Sequence, residues 1–191
     1  MAQTSPPEIR STTILAVRRD GRLAVGGDGQ VTLNNTVIKH QARKVRRIYN
    51  DRIVVGFAGA TADAMNLSER LEAKLERYNG NLLRGAVELA RDWRTDKLLR
   101  RLEALMIAAD GVHLLLISGT GDVIEPDTPV LAIGSGAAAA QAAAAALVTH
   151  TELAARDIVL EAMRIAAGIC VYTNTEVTIE EIGSADGGSK Q

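Results

Sequence analysis

Cysteine is almost absent from this 191-residue chain. Cys170 stands alone, which excludes an internal disulfide framework and fits a reducing compartment, so a cytoplasmic location is expected. Histidine is scarce too: His40, His113 and His150 are scattered, and they form neither a metal-ligand cluster nor part of a triad-like motif. Aromatic residues make up 3% of the chain, too few to give the stacking platforms of single-strand nucleic-acid binders. Neither sign of charge dominates. Twenty-two Lys plus Arg against 23 Asp plus Glu leave a formal net charge of −1, so no bulk field holds the chain to nucleic acid. The most apolar run, residues 136–148, is mostly alanine interrupted by Gln141 and is much shorter than the ~20 residues of a bilayer span. No Walker-type G-x-x-x-x-G-K-[ST] occurs, so this chain is expected to bind no nucleotide, no nucleic acid and no membrane.

What is present describes one globular domain. Hydrophobic residues reach 47% and charged residues 24%, close to the globular average. Residues 1–11, MAQTSPPEIRS, have no apolar core of a secretory signal and read as a disordered leader. A single domain is expected over 12–183, followed by a loose Gly- and Ser-rich tail over 184–191. Apolar, β-branched stretches predict strands over 12–17 and 23–25, joined as a hairpin by Asp20-Gly21. Further strands are expected over 32–38, 44–49 and 52–58, making the first third a β-meander. Apolar positions at three- and four-residue spacing predict a helix over 61–78, ended by Asn79-Gly80. A second helical pattern runs over 82–108, with Thr95-Asp96 as the candidate break between two helices. Strands follow at 112–118, 123–124 and 130–133, helices at 137–150 and 154–167, and a last strand at 177–182. Such segregated blocks argue for an α+β class, with two sheets packed face to face and a helical layer outside each.

Three constellations could carry chemistry. Gly134-Ser135-Gly136-Ala137-Ala138-Ala139 has the G-x-G-x-x-A form of a dinucleotide fingerprint. It stands late in the chain, and Glu152, the acid at the right distance, falls between two helices rather than at a strand end, so a tight strand-to-helix turn is the better reading. It is not a nucleophile elbow, because Ser135 has Ile133 and Ala137 two residues to either side. The second constellation is basic: Lys39, His40, Arg43, Lys44, Arg46, Arg47 and Arg52. In a strand these alternate faces, so a solvated sheet edge is expected, with Lys44 the candidate to turn inward. The third is Thr12. Alone it is only a good strand former. It stands, however, where an unpatterned leader meets a strand, and cleavage after Ser11 would put a hydroxyl nucleophile and a free α-amine on one residue. That amine, of pKa ~7.7–8.0, is a general base poised near neutrality. Thr13 would then be chemically ordinary.

Several segments in this order carry a resemblance: Thr12-Thr13-Ile14, Gly27-Asp28-Gly29-Gln30, Asn35-Thr36-Val37, Arg43-Lys44-Val45-Arg46-Arg47, Gly56-Phe57-Ala58-Gly59, Thr61-Ala62-Asp63, Asp92-Trp93-Arg94-Thr95-Asp96, Gly134-Ser135-Gly136 and Tyr172-Thr173-Asn174. From Thr12 to about Ile182 the chain resembles the bacterial HslV (ClpQ) family, the peptidases of the HslUV protease and relatives of proteasome β subunits. The resemblance implies a four-layer αββα sandwich, the N-terminal-nucleophile (Ntn) hydrolase fold. It implies that Thr12, freed by self-cleavage after Ser11, attacks the scissile carbonyl, with Lys44 as the buried cation beside its oxygen and Asp28 orienting Lys44. The backbone amide of Gly56 matches the oxyanion donor, and Ser135 the serine that assists proton transfer. A sodium ion is implied at Ala167, Cys170 and Thr173 through backbone carbonyls. The implied assembly is a dodecamer of two stacked six-membered rings that takes unfolded protein substrates from a separate ATPase, HslU (ClpY). The chain departs from the pattern in having Ala137 and Ala139 where a second glycine and an aromatic usually follow Gly-Ser-Gly. Two other functions remain open on the residues: a non-catalytic ring subunit of the same fold, and a nucleotide binder using the Gly134 turn.

Overall fold

A computed structural model describes residues 9–10, 12–59, 61–96 and 104–183. Two antiparallel sheets form its centre. The first has the order β11-β2-β3-β12, built from β2 (Thr13–Arg19), β3 (Arg22–Asp28), β11 (Val130–Gly134) and β12 (Val177–Gly183). The second has the order β10-β9-β8-β7-β6, from β6 (Val45–Ile48), β7 (Ile53–Ala58), β8 (Leu105–Ala109), β9 (Leu114–Ser118) and β10 (Val123–Ile124).

Between the sheets, Ile14, Ala16, Val25, Val45, Val54 and Ile107 interdigitate. Alternate residues of the same strands face outward, so both faces are covered, and the near-continuous apolar runs of the sequence follow from this. Helices α1 (Thr61–Arg77) and α2 (Leu82–Thr95) cover the five-stranded sheet. They bury Leu67, Leu71, Leu75, Leu89 and Trp93 against Val55, Phe57 and Met106. Helices α3 (Ala137–His150) and α4 (Ala155–Ile169) cover the other sheet with Ala140, Ala144, Ile158, Val159, Ala162 and Met163. The layer order is therefore αββα.

The Asp20-Gly21 hairpin forms with both residues at positive φ, 50° and 70°, and pairs Arg19 with Arg22. The expected strand over 32–38 is instead two, β4 (Val31–Leu33) and β5 (Thr36–Lys39), because Asn34 at φ 52° turns the chain between them. These join a third, small sheet whose other member is β1 (Ile9–Arg10), with Ile9 opposite Leu33 and Arg10 opposite Thr32. Part of the leader thus has backbone partners, and the first third divides among three sheets rather than forming one meander. The second helix stops at Thr95, and Leu105–Ala109 is a strand between β7 and β9. The part of that expected helix at Leu98 and Leu102 lies outside the described residues, as does the tail over 184–191.

Candidate active site

The ends of β2, β3, β6 and β11 converge at one edge of the sandwich. Asp28, the last residue of β3, is wholly buried, a position that a carboxylate occupies only when its oxygens are satisfied. Its Oδ1 accepts the backbone N–H of Thr13 at 2.8 Å and the Lys44 ammonium at 2.8 Å, and Oδ2 accepts the N–H of Gln30 at 2.9 Å. Lys44 also donates to the carbonyl of Gln30 at 2.6 Å. Lys44 and Thr12 line one cavity together. Burial lowers the Lys44 pKa below the ordinary lysine value, and the charge of Asp28 and its hydrogen bond offset part of that shift.

The shared cavity holds about 350 Å³. Val31, Ala42 and Phe57 give it apolar walls, while Lys39, Arg43 and Arg46 add positive charge. The basic stretch is therefore more than the solvated sheet edge expected of it, because three of its members besides Lys44 face this space.

Gly134, at φ 96°, ends β11 against the backbone of Thr12. A Cβ there would stand 1.9 Å from the carbonyl oxygen of Thr12, so only glycine allows the approach. The next residue, Ser135, donates its N–H to that carbonyl at 2.8 Å, with its Oγ 3.4 Å from the same oxygen. Gly136 donates its N–H to Thr13 Oγ1 at 2.9 Å. These amides serve the Thr12-Thr13 segment, and β11 runs antiparallel to β2, so the turn is not the opening of a parallel βαβ unit that a dinucleotide fingerprint needs.

Gly56 is not brought to the cavity. It is an interior residue of β7, opposite Val45 on one side and Ile107 on the other, where backbone groups serve the ladder. Gly59, the first residue past β7, lies on the cavity wall with φ 144°. Strand termination is the signal that could have singled it out. Ala167 falls in the last turn of α4, Cys170 is the helix's C-cap, and Thr173 donates its N–H to the Cys170 carbonyl at 3.1 Å. No cluster of His, Cys, Asp or Glu suited to a metal occurs among the described residues. The side chain of Thr173 turns to Thr13, with its Oγ1 2.7 Å from Thr13 Oγ1.

Residues 9–182 match the family described as proteasome subunit. The chain belongs to the proteasome family. Within that family it sits with HslV: it is 63% identical over 175 residues to the ATP-dependent protease subunit HslV of Aquifex aeolicus (strain VF5), covering 92% of this chain and 99% of that protein. The subunit of the same name from Syntrophobacter fumaroxidans is 60% identical over 174 residues, with 91% and 97% covered. The crystal structure of eukaryotic HslV from Trypanosoma brucei superposes with a TM-score of 0.86 at 46% identity, over 90% of this chain and 99% of that one. Thiobacillus denitrificans BPH in complex with epoxomicin has a TM-score of 0.70 at 17% identity, covering 91% and 100%, which bears on the fold alone. The sandwich is the Ntn hydrolase fold, and the chain is an HslV peptidase subunit, a proteasome-type threonine protease.

Proposed function

We propose that the chain cleaves itself after Ser11 and that Thr12 is then both nucleophile and base. The observation that carries this reading is the Asp28–Lys44 pair at the wall of the cavity that Thr12 lines. Asp28 holds the Thr13 amide and the ammonium on one oxygen, so it fixes the lysine relative to the backbone that carries the nucleophile. The lysine charge favours the alkoxide form of Thr12 Oγ1, and the α-amine takes the proton as the oxygen attacks the scissile carbonyl. The acyl-enzyme forms as the amine leaving group departs, and water then releases the acid. For the oxyanion, the amide of Gly59 suits the role better than that of Gly56, because Gly59 stands past the end of the ladder and on the cavity wall. Ser135 Oγ stands beside the carbonyl oxygen of Thr12, which supports Ser135 as the proton-transfer partner of the same residue's α-amine.

Ala167, Cys170 and Thr173 would hold a sodium ion through backbone carbonyls. Carbonyl oxygens suit a hard cation: Ala167 lies in the closing turn of α4, at the negative end of the helix dipole, and the Cys170 carbonyl, which accepts the Thr173 N–H, keeps a second lone pair. The ion would supply fixed positive charge and local rigidity there. The relatives' names support a place in an ATP-dependent protease. We assign the chain to a cytoplasmic dodecamer of two stacked hexameric rings that receives unfolded proteins from the HslU (ClpY) ATPase.

The test is intact mass combined with peptidase assay on the assembled protein. Wild type should lose residues 1–11 and cleave a fluorogenic peptide, whereas Thr12→Ala should keep residues 1–11 and be inactive. A wild type that remains full length yet cleaves peptides overturns the mechanism, and one that assembles but never cleaves favours the non-catalytic ring subunit.

A further inference from the structure

Thr13 and Thr173 stand 160 positions apart, yet their hydroxyl oxygens meet at 2.7 Å in a place closed to solvent. The chemistry proposed above uses neither hydroxyl. We propose that Thr173 is a positioning residue for the nucleophile, acting through Thr13; this rests on the reading of Thr12 as the attacking group.

Thr13 follows the nucleophile directly, so its orientation fixes that of Thr12. It is held at two atoms: its N–H donates to Asp28 Oδ1, and its Oγ1 accepts the N–H of Gly136. The second hold depends on a rotamer. A threonine carries a hydroxyl and a methyl on one carbon, and turning χ1 by one well would bring the methyl to the place where Gly136 needs an acceptor. Thr173 selects the hydroxyl well, because its own Oγ1 offers a hydrogen bond to oxygen and none to a methyl. Space around the pair is already taken. A Cβ on Gly136 would stand 2.5 Å from Thr13 Oγ1 and 2.7 Å from Thr173 Oγ1.

The loop that carries Thr173 reaches the other half of the site as well. Gln30 donates from Nε2 to the carbonyl of Val171 at 2.9 Å, and its own carbonyl accepts the Lys44 ammonium. Asn174 accepts the Gly29 N–H at 3.1 Å and donates to the His40 carbonyl at 3.0 Å. The segment between α4 and β12 therefore braces the nucleophile through Thr13 and the cation through Gln30, and a shift of this one segment would move both.

Thr173→Val preserves shape and removes the hydroxyl, and Thr173→Ser keeps the hydroxyl while removing the methyl. In assembled rings, Thr173→Val should lower kcat on a fluorogenic peptide by about tenfold with little change in KM, and Thr173→Ser should recover most of it. Amide exchange at residues 134–136 should quicken in Thr173→Val and not in Thr173→Ser. The double variant Thr13→Val/Thr173→Val should be no slower than Thr13→Val alone, since both remove the same link. A Thr173→Val protein with wild-type kcat, a serine variant as impaired as the valine one, or losses that multiply in the double variant would each overturn the proposal. Thr12→Ala separates the two readings. If it stays active, the nucleophile assignment fails, while quickened exchange at 134–136 still reports the brace.

Discussion

Lys44 Nζ lies 2.8 Å from Asp28 Oδ1, and that oxygen also holds the backbone N–H of Thr13. One carboxylate atom thus ties the Lys44 ammonium to the start of the strand that follows Thr12. Lys44→Ala leaves Asp28 buried without its cation and should lower kcat by about 10²-fold or more in intact rings. Lys44→Arg should also be impaired, because the guanidinium is larger and rigidly forked where a compact ammonium meets Oδ1 and the Gln30 carbonyl. Near wild-type kcat in either variant would refute this role.

The lowered pKa of Lys44 has opposite effects on activity and stability. In the mechanism proposed above the charged form assists Thr12, so kcat should fall as pH rises through the folded value, below the ordinary lysine pKa of 10.5. In the window between the folded and the unfolded values the unfolded chain binds more protons, so this group's contribution to stability rises with pH. An alkaline loss of activity that precedes any loss of ellipticity is the expected result. Activity and structure lost together would contradict it.

Arg43 and Arg46 face the cavity, and their removal should act on substrate choice. Arg43→Ala and Arg46→Ala should raise KM for peptides with an acidic residue next to the cleaved bond more than for neutral ones, with kcat little changed. Steady-state kinetics on matched acidic and neutral peptides checks this, and equal effects on both would count against it.

Arg47 clasps the open edges of the two central sheets. From β6 it donates to the Glu180 carboxylate at 2.8 Å and to the Glu181 carbonyl on β12, and it also reaches the Asp51 carbonyl at 3.0 Å. Both charged partners are about 30% exposed, so solvent screens the ion pair and the carbonyl bonds count for more. Arg47→Ala should cost about 1–3 kcal/mol, read as a lower Tm. Arg47→Lys should not restore it, since a single ammonium cannot span three acceptors. An unchanged Tm for Arg47→Ala would show that the clasp contributes nothing.

What could be read from the sequence was mostly local. The Asp20-Gly21 hairpin follows from turn chemistry contained in two residues, and α1 follows from a stripe that Leu67, Leu71 and Leu75 bury. Leu105–Ala109 was misleading, because Leu98, Leu102 and Leu105 continue a helical spacing while the residues after them alternate between two cores: Met106 and Ala108 enter one, Ile107 and Ala109 the other. Of the site, Thr12 was legible from its position at the leader's end, and Lys44 and Asp28 acquired roles only through the family resemblance. The Thr13–Thr173 contact leaves no mark in the sequence. Two threonines 160 residues apart carry no periodicity or motif, and only the meeting of β2 with the loop after α4 gives them meaning.

Helix α3 turns Ala138, Ala142, Ala145 and Ala146 outward, and its single amide side chain, Gln141, is occupied in accepting the Ala132 N–H on the outer strand of its sheet. An alanine face has no rotamers to freeze, so whatever body covers it loses no side-chain entropy on this side of the contact. The four alanines themselves present no side-chain donor or acceptor whose separation from water must be made good. Recognition there would depend on backbone shape and close approach alone, a surface on which adding a single methylene would be felt more strongly than changing a charge.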